Sequence, residues 1–324
     1  MFKICLIGCG NMAIDGHGPA VRKYADLNKD THLSACCDVD RERAESFQKK
    51  FGFKTFYTDY MEMIEKEKPD VVLAITPVPL TAKISKDVIS TGTNIILEKP
   101  PGVNAEETLL IHECAVKNKV FARVAFNRRY MPILSALMEE VRACGKDILH
   151  ADCNFIRIQR LESTFYTTAI HAIDSIRYIV NSDYKTVGFT YQDIFYDDKK
   201  VTNFYINAEF ENSVHANINF LPCSGCVAER IHISCKDYDF FAELPVWGGI
   251  DMPGKLVCIK NDAVYKTVTG KEITMFESSG FYQENTSFFD LIKQNGTPFS
   301  DVITGVQPVE IAGCMRDRKA CYVK

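Results

Sequence analysis

Apolar and polar positions follow two different patterns along the chain. Up to about residue 122, apolar runs too short for a helix alternate with segments of helical period. Residues 3–7 (KICLI), 33–37, 71–75, 94–97 and 120–125 read as buried strands. Arg41–Phe51 carries Ala44, Phe47 and Phe51 at helical spacing, and Gly52 is suited to close that helix. Residues 81–91 place Ile84, Val88 and Ile89 on one face before Gly92. Asn104 with Glu107 three residues on has the form of a capping box, opening a helix to Lys117. Strands alternating with helices in this way predict βαβ units on a parallel sheet.

After about residue 123 the pattern changes. Residues 133–144 and 167–180 read as helices. Residues 148–158, 187–195, 202–210, 213–221, 229–236, 238–244 and 256–268 show the alternation of strands. That predicts a large open, mostly antiparallel sheet with helices on one face. Phe and Tyr on its other face would favour burial against a second copy, so a homodimer or homotetramer through the open sheet is expected. The fold class is therefore α/β, with a doubly wound parallel sheet over 1–122. An α+β domain over 123–324 would serve substrate binding and oligomerisation.

Composition supports two ordinary globular domains: 324 residues, 46% hydrophobic and 25% charged. With 38 basic against 42 acidic side chains the net charge is −4, which disfavours a nucleic-acid partner bound through phosphates. No apolar run approaches the roughly 18 residues of a membrane span. The chain moves straight into a strand and turn, so a signal peptide is not expected. The thirteen cysteines are odd in number and scattered, several within apolar runs such as Cys5, Cys36 and Cys37. They read as small buried hydrophobes in a reducing, cytoplasmic setting. Cys223 and Cys226 have CxxC spacing without a second pair, and no metal site is expected.

Gly8-Cys9-Gly10-Asn11-Met12-Ala13 fits G-x-G-x-x-G/A directly after the first strand. Gly8 permits the tight turn, Gly10 lets the backbone approach a pyrophosphate, and Ala13 allows close helix–strand packing, as in a Rossmann domain. Asn11 and Met12 complete the candidate turn. Asp38 ends the next strand, where a carboxylate accepts the ribose hydroxyls and repels a 2′-phosphate. NAD is therefore favoured over NADP, although Arg41 and Arg43 lie close by. Thr76 and Pro77 follow the third strand, and Glu98-Lys99-Pro100-Pro101 closes residues 94–97. Ligands of open α/β sheets bind beyond those strand ends, which makes Thr76, Pro77, Glu98 and Lys99 cofactor candidates. A lysine beside an oxidised nicotinamide gives up its proton more readily, so Lys99 suits proton transfer at a reacting hydroxyl.

These residues resemble the Gfo/Idh/MocA oxidoreductase family. Further matches are Asn127-Arg128-Arg129-Tyr130-x-Pro132, the segment His171-Ala-Ile-Asp174, and the closing PFSDVITGVQPVEIA. The resemblance implies a Rossmann domain followed by a domain with an open sheet. It also implies NAD(P)-dependent interconversion of a hydroxyl and a ketone on a sugar, polyol or sugar derivative. By the resemblance Lys99 is the catalytic lysine and His171 a proton-transfer residue.

The sequence departs from the family pattern at two places. Thr167 stands four residues before His171, where many members carry Asp, and Thr81 stands where a His is usual. Asp174 can orient His171 or serve as an ion-pair partner. Candidate substrate contacts are Asn127, Arg129, Arg157, Tyr166 and Thr167; Arg160 and Trp247 are further candidates. Two other functions fit the same motifs: an NAD-retaining glycosidase working by transient sugar oxidation, and a non-catalytic dinucleotide-binding regulator.

Overall fold

The structure, a computed structural model, describes residues 1–294 and 296–324. Its chain divides into two compact units. One comprises Met1–Phe126 with Phe281–Val309, the other Asn127–Gly280 with Glu310–Lys324.

The first unit is built on a six-stranded parallel sheet: β1 (Phe2–Ile7), β2 (Thr31–Cys37), β3 (Thr55–Tyr57), β4 (Val71–Ala74), β5 (Asn94–Leu97) and β6 (Ala122–Val124). Their order is β3-β2-β1-β4-β5-β6, which places the reversal of direction between β1 and β4. Helices α1 (Gly18–Leu27), α2 (Arg41–Phe51), α3 (Tyr60–Glu67), α4 (Val78–Ser90) and α5 (Ala105–Asn118) connect them. Helix α2 has the predicted bounds. The Asp40 carboxylate accepts from the amides of Glu42 and Arg43, and Gly52 closes the helix at φ 71°. Asn104 caps α5 as expected, accepting from the Glu107 amide at 2.9 Å. Helix α4 begins three residues before the expected Thr81, because Pro79 is tolerated in a first turn.

The sequence reading made one division at 122/123, whereas Phe281–Val309 returns to this unit. The reason is aromatic. The helix Phe281–Lys293 brings Phe289 against Phe2 and Tyr24, at ring separations of 5.9 and 5.0 Å, and Phe288 against Phe121. Burying each such ring contributes about 2–3 kcal/mol.

The second unit holds a nine-stranded mixed sheet: β7 (Ile148–Ile156), β8 (Tyr184–Tyr196), β9 (Lys199–Phe210), β10 (His215–Leu221), β11 (Ala228–Cys235), β12 (Tyr238–Leu244), β13 (Lys255–Lys260), β14 (Ala263–Thr269) and β15 (Cys321–Val323). Among the described residues of this sheet only β7 and β10 pair in parallel; the other pairs are antiparallel. The single strand expected over 256–268 is a hairpin. Asn261 and Asp262 take left-handed φ values of 48° and 63°, which Asn and Asp tolerate at a tight corner.

Helices α6 (Pro132–Cys144) and α7 (Tyr166–Val180) pack on one face of this sheet. Phe155, Phe210, Phe220 and Phe240 are fully buried, while Phe241, opposite His232, and Tyr205, opposite Asn219, lie on the other face. That face also carries polar side chains that bond across strands. Asn207 donates to Asn217, Asn219 donates to Asn154, and Asn217 reaches Asp152. Among the described residues no helix is long and apolar enough to cross a membrane.

Candidate active site

In the first unit the glycine turn opens a cavity of about 590 Å³. Its lining includes Gly8, Gly10, Asn11, Met12, Asp38, Arg43, Thr76, Pro77, Lys83, Glu98 and Lys99. The structure thus brings together every candidate cofactor residue except Ala13, which is fully buried behind the turn. The two glycines do different work. Gly8 has φ +90°, and a Cβ there would lie 2.0 Å from the Ile75 carbonyl oxygen. A Cβ on Gly10 would meet nothing within 4 Å. Gly8 is therefore required by the fold, while Gly10 faces open space.

Asp38 is anchored by its own surroundings. One oxygen accepts from the Cys9 amide at 2.8 Å and the other from the Asp40 amide at 2.9 Å. Arg43, which lines the same cavity, pairs with Asp40 at 3.3 Å. Thr81 is buried and its hydroxyl reaches the Thr76 and Pro77 carbonyls, so it secures the first turn of α4.

Glu98 and Lys99 follow β5. The Glu98 carboxylate accepts from the Lys99 amide at 3.0 Å, and its other oxygen lies 3.2 Å from Nε2 of His17. Burial alone would lift this carboxyl, but the hydrogen bond from His17, the Lys99 charge and the Lys99 amide outweigh it and hold it below its ordinary value. His17 is the residue that sequence reasoning missed. The available signal was a lone His flanked by Gly16 and Gly18 in the segment that follows the turn.

In the second unit, α7 and the turn Asn127–Tyr130 carry the remaining candidates. His171 is buried, and its Nε2 lies 3.3 Å from Nη1 of Arg128. A guanidinium can only donate, so Nε2 accepts and a neutral His171 ring carries its proton on Nδ1. Arg128 forks onto Glu229, with Nη2 to Oε1 at 2.9 Å and Nε to Oε2 at 3.3 Å. Arg157 bonds the same Oε1 and lies with its guanidinium 3.7 Å from the centre of the Phe155 ring. Burial would raise the Glu229 carboxyl, yet the two arginines bring it down to about 2. Glu229 was not among the sequence candidates, although it stands on the inward face of β11 with Ile231 and Ile233.

Asn127 donates to the Ser279 carbonyl at 2.7 Å and accepts from Arg128 at 3.1 Å. Arg129 binds Asp174, with Nε to Oδ2 at 2.8 Å, so the ion-pair alternative for Asp174 is the one observed. Burial raises the Asp174 carboxyl in spite of Arg129. Thr167 donates to the Thr164 carbonyl in the first turn of α7. Arg316 lies over the Tyr166 ring at 5.8 Å, and Arg160 pairs with Glu162.

The sequence signature described as the oxidoreductase family with NAD-binding Rossmann fold matches residues 2–126. Inositol 2-dehydrogenase of Salmonella typhimurium is 24% identical over 193 residues, covering 57% of this chain and 56% of that protein. D-glucoside 3-dehydrogenase of Escherichia coli is 25% identical over 139 residues, 43% of this chain and 38% of that protein. The chain thus spans about half the length, or less, of these curated relatives. Among solved structures, levoglucosan dehydrogenase in complex with NADH and levoglucosan superposes with a TM-score of 0.82 at 17% identity, over 99% of both chains. A dehydrogenase (MviM) from Clostridium difficile superposes with a TM-score of 0.79 at 17% identity, over 98% of both. Glycine turn, Asp38 and the Glu98-Lys99-Pro100 segment all fall inside residues 2–126, the stretch that matches the Gfo/Idh/MocA oxidoreductase family with its NAD-binding Rossmann fold.

Proposed function

We propose that this protein is an NAD-dependent dehydrogenase interconverting a hydroxyl and a ketone on a sugar, polyol or sugar derivative. The observation that carries the reading is the cavity in which the glycine turn, Asp38 and Lys99 meet. The residues fit a dinucleotide: the space above Gly10 admits a pyrophosphate, and Asp38 stands at the end of β2, where it can receive ribose hydroxyls. Bound there, NAD supplies the hydride acceptor. Lys99 hydrogen-bonds the reacting hydroxyl and takes its proton as the alkoxide develops. His171 is proposed as the second proton-transfer group. Its Nε2 lone pair is engaged by Arg128, so this role requires release from the guanidinium. The names of the relatives, acting on inositol and a D-glucoside, support a polyol or sugar substrate.

Asp38 supports NAD(H) in preference to NADP(H), since a 2′-phosphate would meet its carboxylate. Arg43 and Lys83 line the same cavity and temper that preference. Gly10→Val should leave thermal stability near that of the parent and weaken NADH binding about tenfold or more in a fluorescence titration, because the new side chain fills the open space. Gly8→Ala should instead destabilise the fold, given the contact with the Ile75 carbonyl. Unaltered NADH affinity in Gly10→Val would remove the turn from the binding site.

A further inference from the structure

We propose that His17 is a positioning residue for Lys99, acting through the Glu98 carboxylate; this rests on the role given to Lys99 above. His17 ends a five-residue π-turn, Ala13–His17, that leads from the glycine turn into α1. A π-turn fits one more residue into the helix than the α-helical path and so redirects the face it presents. Here it turns His17 fully inward, with no exposed surface. The ring meets Phe281 edge-on at 5.1 Å between centres.

The flanking glycines hold that position. A Cβ on Gly16 would lie 2.9 Å from the Phe281 ring, and one on Gly18 would lie 2.7 Å from the Phe51 ring. Close packing on both sides leaves the histidine no alternative path.

The hydrogen bonds fix its direction as well. Asn285 Nδ2 lies 3.3 Å from His17 Nδ1, and an amide nitrogen only donates. Nδ1 therefore accepts, the ring proton sits on Nε2, and Nε2 donates to Glu98 Oε1 at 3.2 Å. The other Glu98 oxygen receives the Lys99 amide at 3.0 Å. One buried carboxylate thus ties the helix after the glycine turn to the main chain of Lys99. A ring without a donor at that point leaves the carboxylate short of a partner in a buried site, so it reorients and takes Lys99 out of line.

The test compares His17→Phe, which keeps a ring, with His17→Gln, whose amide keeps a donor. Both are assayed with the fastest substrate from myo-inositol, methyl glucosides, glucose 6-phosphate and levoglucosan, beside Lys99→Ala. His17→Phe should lower kcat about 10- to 100-fold, with NADH Kd and substrate KM each moving less than about threefold. His17→Gln should recover most of kcat. Equal rates in the two variants, or a loss confined to NADH affinity, would overturn the proposal. Proton–nitrogen correlation spectra of the wild-type histidine side chains give an arm independent of turnover and of variant folding. A His17 ring with its proton on Nε2 is expected, and one with its proton on Nδ1 would overturn the proposal. If Lys99→Ala keeps full activity, the role of Lys99 itself fails, whatever the His17 variants do.

Discussion

Lys99→Ala should lower the rate of NADH formation about 10²- to 10⁴-fold, the range removed when a positioned proton-transfer group is lost. The side chain belongs to the lining of the dinucleotide cavity, and its main chain is held by the carboxylate of Glu98. The melting temperature and NADH affinity should stay near those of the parent. Steady-state rates combined with NADH fluorescence titration separate the two effects. Parental turnover in Lys99→Ala would leave the reaction without its main proton-transfer residue.

Glu229→Ala should be the most destabilising change in the second unit, by about 3–5 kcal/mol, because it strips the shared partner from two buried guanidiniums. Arg128 and Arg157 are 3% and 4% exposed, so water cannot take over the lost contacts. The exposed pair of Arg160 with Glu162 makes the contrast: its removal should change stability by about 1 kcal/mol or less. The midpoints of urea unfolding measure both.

The same residue sets an acid limit. The Glu229 carboxyl falls from 4.5 to about 2 on folding, so its contribution is present above pH 4.5 and lost as pH drops from there toward 2. Such a depression corresponds to about 3 kcal/mol. Asp174, raised by burial, shifts the acid limb in the opposite direction. Glu229→Gln separates the two, since it should flatten only the Glu229 part of the pH dependence of unfolding. A limb unchanged in Glu229→Gln would show that other carboxylates set it.

What could be read from the sequence was whatever is local. Asp40 and Gly52 bound α2 by capping chemistry that involves only neighbours, and the glycine turn declares itself through its spacing after β1. The residues missed act at a distance. His17 meets a carboxylate 81 residues away, and Glu229 meets arginines 101 and 72 residues away. In β11, Glu229 falls in phase with the buried Ile231 and Ile233, so its inward face was legible, but nothing local says that Arg128 and Arg157 meet it there. The segment Phe281–Lys293 shows its apolar face in the sequence, yet nothing in its pattern says that Phe2 and Tyr24 are the surfaces it covers. The Asn261-Asp262 corner was legible in principle and was overridden by the alternation on either side.

The central claim is reversible hydride exchange between a carbinol carbon and NAD. It is tested most directly by incubating the wild-type protein and NAD with myo-inositol, methyl and aryl glucosides, glucose 6-phosphate and levoglucosan, while following NADH absorbance and the organic product together. The account predicts that at least one of these accumulates NADH in step with a ketone, and that Lys99→Ala abolishes both signals. Tight NAD binding with no reduction across the panel, or aryl glucoside cleavage without NADH release, would contradict it.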